Sequence, residues 1–394
     1  MASPAGRGDD GDALVEAVRA AGLRGRGGGW FETARKWQAV RVEGGDPFVV
    51  ANGAEGEPGS LKDRWLMRRR PHAVLQGLGL AMRAVGAREG CVYLKGSLAA
   101  EEGALSAALP EVRETAALSI EVRRGDDSYV GGEETAVLEV LEGRRAWPRP
   151  KPPLPSAVGF RGRPTLVQNV ETLARVPDAV HDPAAFHAGE QTLVSLWGHV
   201  ARPGVYEVAL GTPLRAVIEA HGGGADVGML FPAGPSAAPL AASQLDLPLD
   251  PAALRAAGSA LGTAALLVVR ASACPLAVAA SLAGFFEREA CGQCPPCTVG
   301  TARLAGVLRA VEAGDARARD LADLAEAAGF MAGHGYCAHG RTAAAAVTGL
   351  LKRFPDDVAA HLEARGCPRP ADGCDPFAPG SPEQRALEAA VFAP

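Results

Sequence analysis

Phe48-Val49-Val50-Ala51-Asn52-Gly53-Ala54-Glu55-Gly56-Glu57-Pro58-Gly59 decides the fold class. Four consecutive apolar residues are too few for a helix and read as a buried strand, and the glycines and acids behind them form a loop. Cys91-Val92-Tyr93-Leu94 reads the same way, with a helix over roughly 71 to 87 between the two. Strand, helix, strand is the unit of an α/β sheet, which binds nucleotides outside the carboxyl ends of its strands. The carboxylates of this loop therefore stand at a strand's C-terminal end.

Upstream, a short helix carrying Leu14, Val15, Val18 and Ala21 feeds Gly22-Leu23-Arg24-Gly25-Arg26-Gly27-Gly28-Gly29, which has too many glycines to remain helical. Its backbone N–H groups can face a phosphate, with Arg26 and Lys36 adding positive charge. Downstream, Gly131-Gly132-Glu133-Glu134-Thr135 opens another helix. Its two acids read either as a second ligand loop or as first-turn acids favoured by the helix dipole. Six prolines between 144 and 165 exclude regular structure and predict an extended arm across the surface.

From Thr192 the pattern changes to short β-rich runs, 193–200 and 204–210, joined by Arg202-Pro203-Gly204. A helix near 213 to 220 and a strand at 264 to 269 complete a small β-grasp-like module. Beyond Ser272 the chain is Ala- and Leu-rich, and a helical bundle is expected. Ala271–Phe286 is apolar but shorter than the roughly 20 residues of a membrane-spanning helix, so it reads as a buried helix. The expected architecture is α/β over 1–190, β-grasp over 191–271 and helical over 272–394.

With 394 residues, each such domain can bury a core without a metal. A formal net charge of -5 and no long basic block argue against nucleic acid. The N-terminal MASPAGRGDDGD lacks the apolar core of a secretory signal and carries acids a transit peptide avoids, so a cytoplasmic chain is expected. Seven of the eight cysteines lie in the C-terminal third, and in a reducing compartment they point to metal or redox chemistry.

Cys291-Gly-Gln-Cys294-Pro-Pro-Cys297 lets one loop ligate three corners of a 4Fe-4S cubane. Cys337 is the candidate fourth ligand. Structural zinc is the competing reading, but it usually pairs two CxxC or CxxC/HxxxH halves. His334 and His339 read as ligands, as hydrogen-bond tuners or as loop histidines on the surface, the last being the plainer expectation. Cys91 and Cys274 read as inert buried thiols. Cys367 and Cys374 form either a second metal site or two unrelated thiols, the latter by default.

Together these segments carry a resemblance that covers nearly the whole chain. Gly22-Leu-Arg-Gly-Arg-Gly-Gly with Lys36-Trp37, Glu55-Gly-Glu-Pro-Gly with Lys62-Asp63-Arg64, Gly132-Glu-Glu-Thr-Ala, Pro148-Arg-Pro-Lys-Pro-Pro, Asn169-Val-Glu-Thr-Leu and the cysteine loop occur in this order. That order resembles the flavin-carrying, NADH-binding subunit of respiratory complex I, a module shared with NAD-dependent hydrogenases and formate dehydrogenases. The stretch from Trp197 to Glu207 resembles that family's soluble-ligand-binding β-grasp (SLBB) domain. The resemblance implies FMN held by Gly25, Arg26, Gly27, Gly28, Lys36, Asn52, Glu55, Gly132, Glu133 and Asn169. It further implies Phe31, Lys151 and Gln168 as cofactor-binding positions and Glu57, Tyr129 and Glu134 as catalytic ones. Hydride would pass from NAD(P)H to FMN, and electrons singly to the cluster held by Cys291, Cys294, Cys297 and Cys337, then to a ferredoxin or iron-sulfur partner subunit.

Departures from that pattern gather in the nucleotide pocket. Ala54 stands for an aspartate, Trp30 precedes the first pocket phenylalanine, and Ala39 and Leu154 replace two others. Gln168 stands for an asparagine, and Thr298 and Val299 replace Arg and Glu after the third cysteine. Losing an aromatic stack costs about 0.5–1.5 kcal/mol beyond the lost area. Three readings follow: an NAD(P)H-oxidising FMN and 4Fe-4S enzyme, an electron relay that keeps both cofactors without nicotinamide, and a flavoenzyme for another small molecule. The last needs Trp30, Ala39 and Leu154 to line its cavity.

Overall fold

In a computed structural model of the chain, residues 9–369 and 374–392 are described. The start of the N-terminal stretch read above lies outside them. The first elements are α1 (Asp9–Ala20), α2 (Thr33–Glu43), β1 (Phe48–Asn52), α3 (Lys62–Arg69), α4 (Pro71–Val85), β2 (Glu89–Lys95), α5 (Ala99–Ala108), β3 (Ser119–Gly125), α6 (Glu134–Leu141), β4 (Thr165–Asn169), α7 (Val170–His181) and α8 (Pro183–Ala188). There follow β5 (Gln191–Gly198), β6 (Gly204–Ala209), α9 (Leu214–Val217), β7 (Val227–Pro235), β8 (Leu240–Ala241), α10 (Pro251–Ala256) and β9 (Ala265–Arg270). The helical end comprises α11 (Pro275–Arg288), α12 (Pro295–Ala313), α13 (Ala318–Gly333), α14 (His339–Arg353), α15 (Pro355–Ala364) and α16 (Pro382–Phe392).

These elements form two units, one running to Gly56 and resuming over Leu61–Gln191, the other containing Glu57–Ser60 and everything from Thr192. In the first, four parallel strands lie in the order β3-β2-β1-β4. Both expected strands sit at its centre, and being covered on both faces they are unbroken apolar runs. Helix α4 packs on α1, α2, α7 and β1. A Cβ on Gly77 would lie 1.8 Å from the Leu173 carbonyl oxygen, so glycine is what lets α4 and α7 approach so closely.

In the second unit a mixed sheet of order β6-β5-β9-β7-β8 pairs β5 parallel to β9 and β7 antiparallel to β9 and β8. The expected helix near 213 to 220 is α9, continued by a wider turn through Gly222. Residues 271–286 form a loop and α11, whose Leu276, Val278, Ala279, Leu282, Phe285 and Phe286 are buried. Among the described residues no helix is long and apolar enough to cross a membrane. The proline-rich arm carries only the short turn Phe160–Gly162, and residues 150–154 are exposed.

Candidate functional site

The chain adds β2 and then β3 on one side of β1, and later sets β4 on the other. Ligands of open α/β sheets bind outside the strand ends at such a switch point. Asn52 ends β1, Asn169 ends β4, and the two are partners in register. Asn52 Nδ2 donates to Gly132 O at 2.9 Å, and its Oδ1 accepts from Ala54 N at 3.2 Å. Asn169 Oδ1 caps α7 by accepting from Thr172 N at 3.2 Å, while its Nδ2 donates to Asp63 Oδ2 at 2.6 Å. Asn52 thus ties the loops at Ala54 and Gly132 to its strand end, and Asn169 ties the starts of α3 and α7 to its own.

The glycine loop closes through Gly25 N to Phe31 O at 2.8 Å and Thr33 N to Leu23 O at 3.0 Å. Gly27 lies against Asn169, whose Cβ is 3.1 Å from where a Cβ would sit, and Gly28 has φ 110°. A Cβ on Gly132 would come within 2.7 Å of the Ala54 oxygen. Arg26 corrects the sequence reading, because its charge is turned inward. The guanidinium is 1 % exposed, donates to Glu190 Oε1 at 2.7 Å and to Arg24 O at 2.8 Å, and lies 3.9 Å from Glu171. Its own N–H donates to Thr172 Oγ1 at 2.8 Å. Arg26 therefore fixes the loop from beneath.

Trp30 stacks under that guanidinium at 4.4 Å and is buried, with φ 51°. Phe31 and Leu154 are 52 % and 54 % exposed. The cavity-lining role suggested for Trp30 therefore gains no support, and Phe31 keeps an open face.

Glu133 caps α6, its Oε2 accepting from Thr135 N at 2.8 Å and Ala136 N at 3.0 Å, and Lys151 Nζ meets its Oε1 at 2.6 Å. Glu133 thus takes the helix-start role that was one of its two readings. Glu134 is held by Lys36 at 3.1 Å and Lys151 at 2.8 Å. Burial disfavours its charge, but the two lysines outweigh burial and hold its pKa at about 2. Glu55 accepts from Asp63 N at 3.1 Å and Arg64 N at 3.0 Å, so its carboxyl caps the N-terminus of α3. Glu57 accepts from Ser236 N at 3.1 Å within the second unit. Tyr129 is half-buried at the turn before Gly132, its Cα 3.5 Å from the Cβ position of Gly56.

A buried ionic network lies under these loops. Lys62 is 1 % exposed and meets Asp63 at 2.9 Å and Glu171 at 3.0 Å, and Glu171 also reaches Arg175 at 3.2 Å. Burial pushes Asp63 upward against the pull of Lys62. Sequence reading gave these residues no role. The available signal was charge inside apolar helical surroundings, as in Asn169-Val-Glu-Thr-Leu, where Glu171 alone is ionic.

Whether a flavin suits these residues is tested by the backbone cradle at Gly27 and Gly132, which Cβ atoms would crowd, and by Gln168 Oε1. That oxygen is buried with no hydrogen-bond partner, an acceptor suited to a ring N–H. The residues present fit such a group.

In the second unit Cys294 is the N-cap of α12, Pro295 and Pro296 start the helix, and Gly292 has φ 83°. Burial, then Cys337, Cys291 and Cys294 in that order, push the Cys297 thiol up to about 12. The fold has therefore gathered four thiols whose ionised forms repel, a conflict that bound iron relieves by taking the thiolates as ligands. His339 corrects the surface reading. It is buried, its Nε2 is 2.9 Å from Phe286 O, and burial holds its pKa below the ordinary value. His334 is exposed and stacked on Phe330. Cys274, read as an inert buried thiol, is buried, and it lies beside His361 and Cys367.

Comparison with known proteins gives matches for three parts of the chain. Residues 18–178 match the Nuo51 FMN-binding domain, 193–233 the SLBB domain and 277–361 the NADH-ubiquinone oxidoreductase-F iron-sulfur binding region. An F-type NADH-quinone oxidoreductase subunit of Rhizobium meliloti (strain 1021), the one numbered 2, is 38 % identical over 380 residues, covering 91 % of this chain and 90 % of that protein. Its counterpart in Streptomyces coelicolor (strain ATCC BAA-471 / A3(2) / M145) is 36 % identical, with 91 % and 84 % covered. An NAD+-reducing NiFe hydrogenase in the H2-reduced state is similar in structure, with TM-score 0.84 and 35 % identity over 89 % of this chain. The chain spans 63 % of that hydrogenase chain.

Proposed function

Because the chain belongs to the NADH-quinone oxidoreductase-F family, we propose that it accepts hydride from NADH at FMN and delivers electrons through a 4Fe-4S cluster to an iron-sulfur partner subunit or ferredoxin. FMN, when bound, supplies the conversion between a two-electron donor and one-electron carriers. The observation that carries the reading is the pairing of Asn52 with Asn169 at the switch point, flanked by the Gly25–Gly28 loop and Gly132. The proposed parts are 1–190 for the flavin and nucleotide, 191–271 for the SLBB-like module and 272–394 for the cluster. Eight free cysteines suit a cytoplasmic setting, where thiols stay reduced.

In this reading Asn52, Asn169, Gln168 and the glycine backbone hold the flavin, and Lys36 and Lys151 set its electrostatics. With its pKa at about 2, Glu134 is a carboxylate at neutral pH. It can accept hydrogen bonds and orient a ligand but holds no proton to donate. Phe31, half-exposed, is the aromatic face for a nicotinamide nucleotide, with Tyr129 as a further contact. Cys291, Cys294, Cys297 and Cys337 are the cluster ligands.

Anaerobic titration of the reconstituted protein tests this reading. NADH should bleach the flavin absorbance, and dithionite should add only the remaining cluster reduction. If NADH and NADPH both leave the flavin oxidised while dithionite reduces it, the dehydrogenase reading fails and the relay reading stands.

A further inference from the structure

Helix α15 is short and has a single buried residue among those described, and that residue is His361. Its apolar Val358 and Leu362 are only partly buried, so the most deeply buried contact of this helix is an imidazole where an apolar side chain is usual. His361 Nδ1 lies 2.7 Å from Asp357 O, which places the ring proton on Nδ1 and leaves the Nε2 lone pair facing Cys274 Sγ at 3.2 Å. A histidine whose far nitrogen donates to a backbone carbonyl is oriented as metal-ligating histidines are.

Cys274 is the N-cap of α11 and is 4 % exposed. The N–H groups of Leu276 and Ala277 hydrogen-bond to its sulfur, and the Cys274 and Cys367 thiols are hydrogen-bonded to each other. The chain reaches this position by a left-handed turn at Arg365, with Gly366 N bonded to His361 O at 3.1 Å. Arg369 then anchors it, donating to Ala273 O at 2.8 Å and to Asp357 Oδ1 at 2.5 Å. The three ligand atoms, one from each of Cys274, His361 and Cys367, lie within 4.8 Å of one another.

We propose that Cys274 Sγ, His361 Nε2 and Cys367 Sγ form a second metal site, separate from the four-cysteine loop, that takes a single Zn2+ ion. A Cys2His set with a fourth position open to water is an established zinc donor set. On binding, each thiol releases its proton, and two thiolates with a neutral imidazole leave the site uncharged, as suits a half-buried position. No electron is transferred. The ion would staple α15 and the residues after it to the start of α11.

The test uses the full chain with its iron-sulfur cluster reconstituted anaerobically. Zn2+ is measured by elemental analysis after desalting, and Co2+ is titrated while thiolate-to-cobalt charge-transfer absorption is followed. The expected result is one zinc per chain beyond a full complement of iron, and one cobalt with thiolate bands. His361→Gln and the solvent-facing Cys367→Ser should each weaken cobalt binding by at least about tenfold, with iron and flavin content unchanged. Cobalt binding without thiolate bands, zinc retention unaltered in Cys367→Ser, or a Cys274–Cys367 disulfide in the anaerobically prepared chain would overturn the proposal.

Discussion

Glu134 and Lys62 show two outcomes of placing charge beneath a ligand loop. Glu134 keeps its negative charge because two lysines flank it, and its depressed pKa links it to stability. A carboxylate whose folded pKa lies below its unfolded value stabilises at pH above the unfolded value, and that contribution is lost as pH falls toward about 2. Glu134→Gln should therefore flatten the loss of stability between the ordinary carboxylate range and that limit. After solvent screening the difference is about 1–2 kcal/mol, read from thermal unfolding of both chains across acid pH. Lys62 faces a harder balance, since Asp63 and Glu171 share it in a buried setting. Lys62→Met removes the counter-charge and leaves both carboxylates inside, so it should cost about 3–5 kcal/mol in urea unfolding. If the loss were below about 1 kcal/mol, water or protonation of Asp63 must already be neutralising the cluster.

Among the elements, β1 and β2 were legible because a strand covered on both faces must be apolar throughout, and α4 because its pattern is long. The glycine loop was legible as a loop, whereas the direction of Arg26 was not. Position in the sequence cannot tell whether a guanidinium faces a ligand or Glu190, which lies 164 residues away. The ionic layer of Lys62, Asp63 and Glu171 stayed hidden for the same reason, since the Lys62–Glu171 pair that joins its two segments is long-range. Gly77 is a further case, reading as a weak spot in α4 although it is the contact that seats α7. Gly77→Ala gains helix propensity of about 1 kcal/mol but drives a methyl into the Leu173 carbonyl. The clash should dominate, giving a net loss of about 1–3 kcal/mol and a lowered Tm by calorimetry.

For the whole molecule the electron exit matters as much as the entrance, and the second unit marks it with exposed apolar residues beside the cluster cysteines. Val299, two residues after Cys297, is 68 % exposed, and Tyr336, immediately before Cys337, is 46 % exposed. Phe330, on the helix leading to Cys337, is 57 % exposed. Scattered exposed hydrophobics need no explanation, but three flanking one set of thiols suit a surface that a second iron-sulfur protein covers. Val299→Asp puts a charge on that surface without touching a ligand, and at an exposed site it should alter stability by less than about 0.5 kcal/mol. Flavin reduction by NADH and turnover with a small acceptor such as ferricyanide should be unchanged, because neither needs docking. Electron delivery to the co-purified iron-sulfur partner should fall about tenfold or more, equivalent to about 1.4 kcal/mol of lost binding, as measured by partner reduction in stopped flow. Equal losses with both acceptors would place the defect at the cluster itself, and no loss with either would move the docking surface away from Val299.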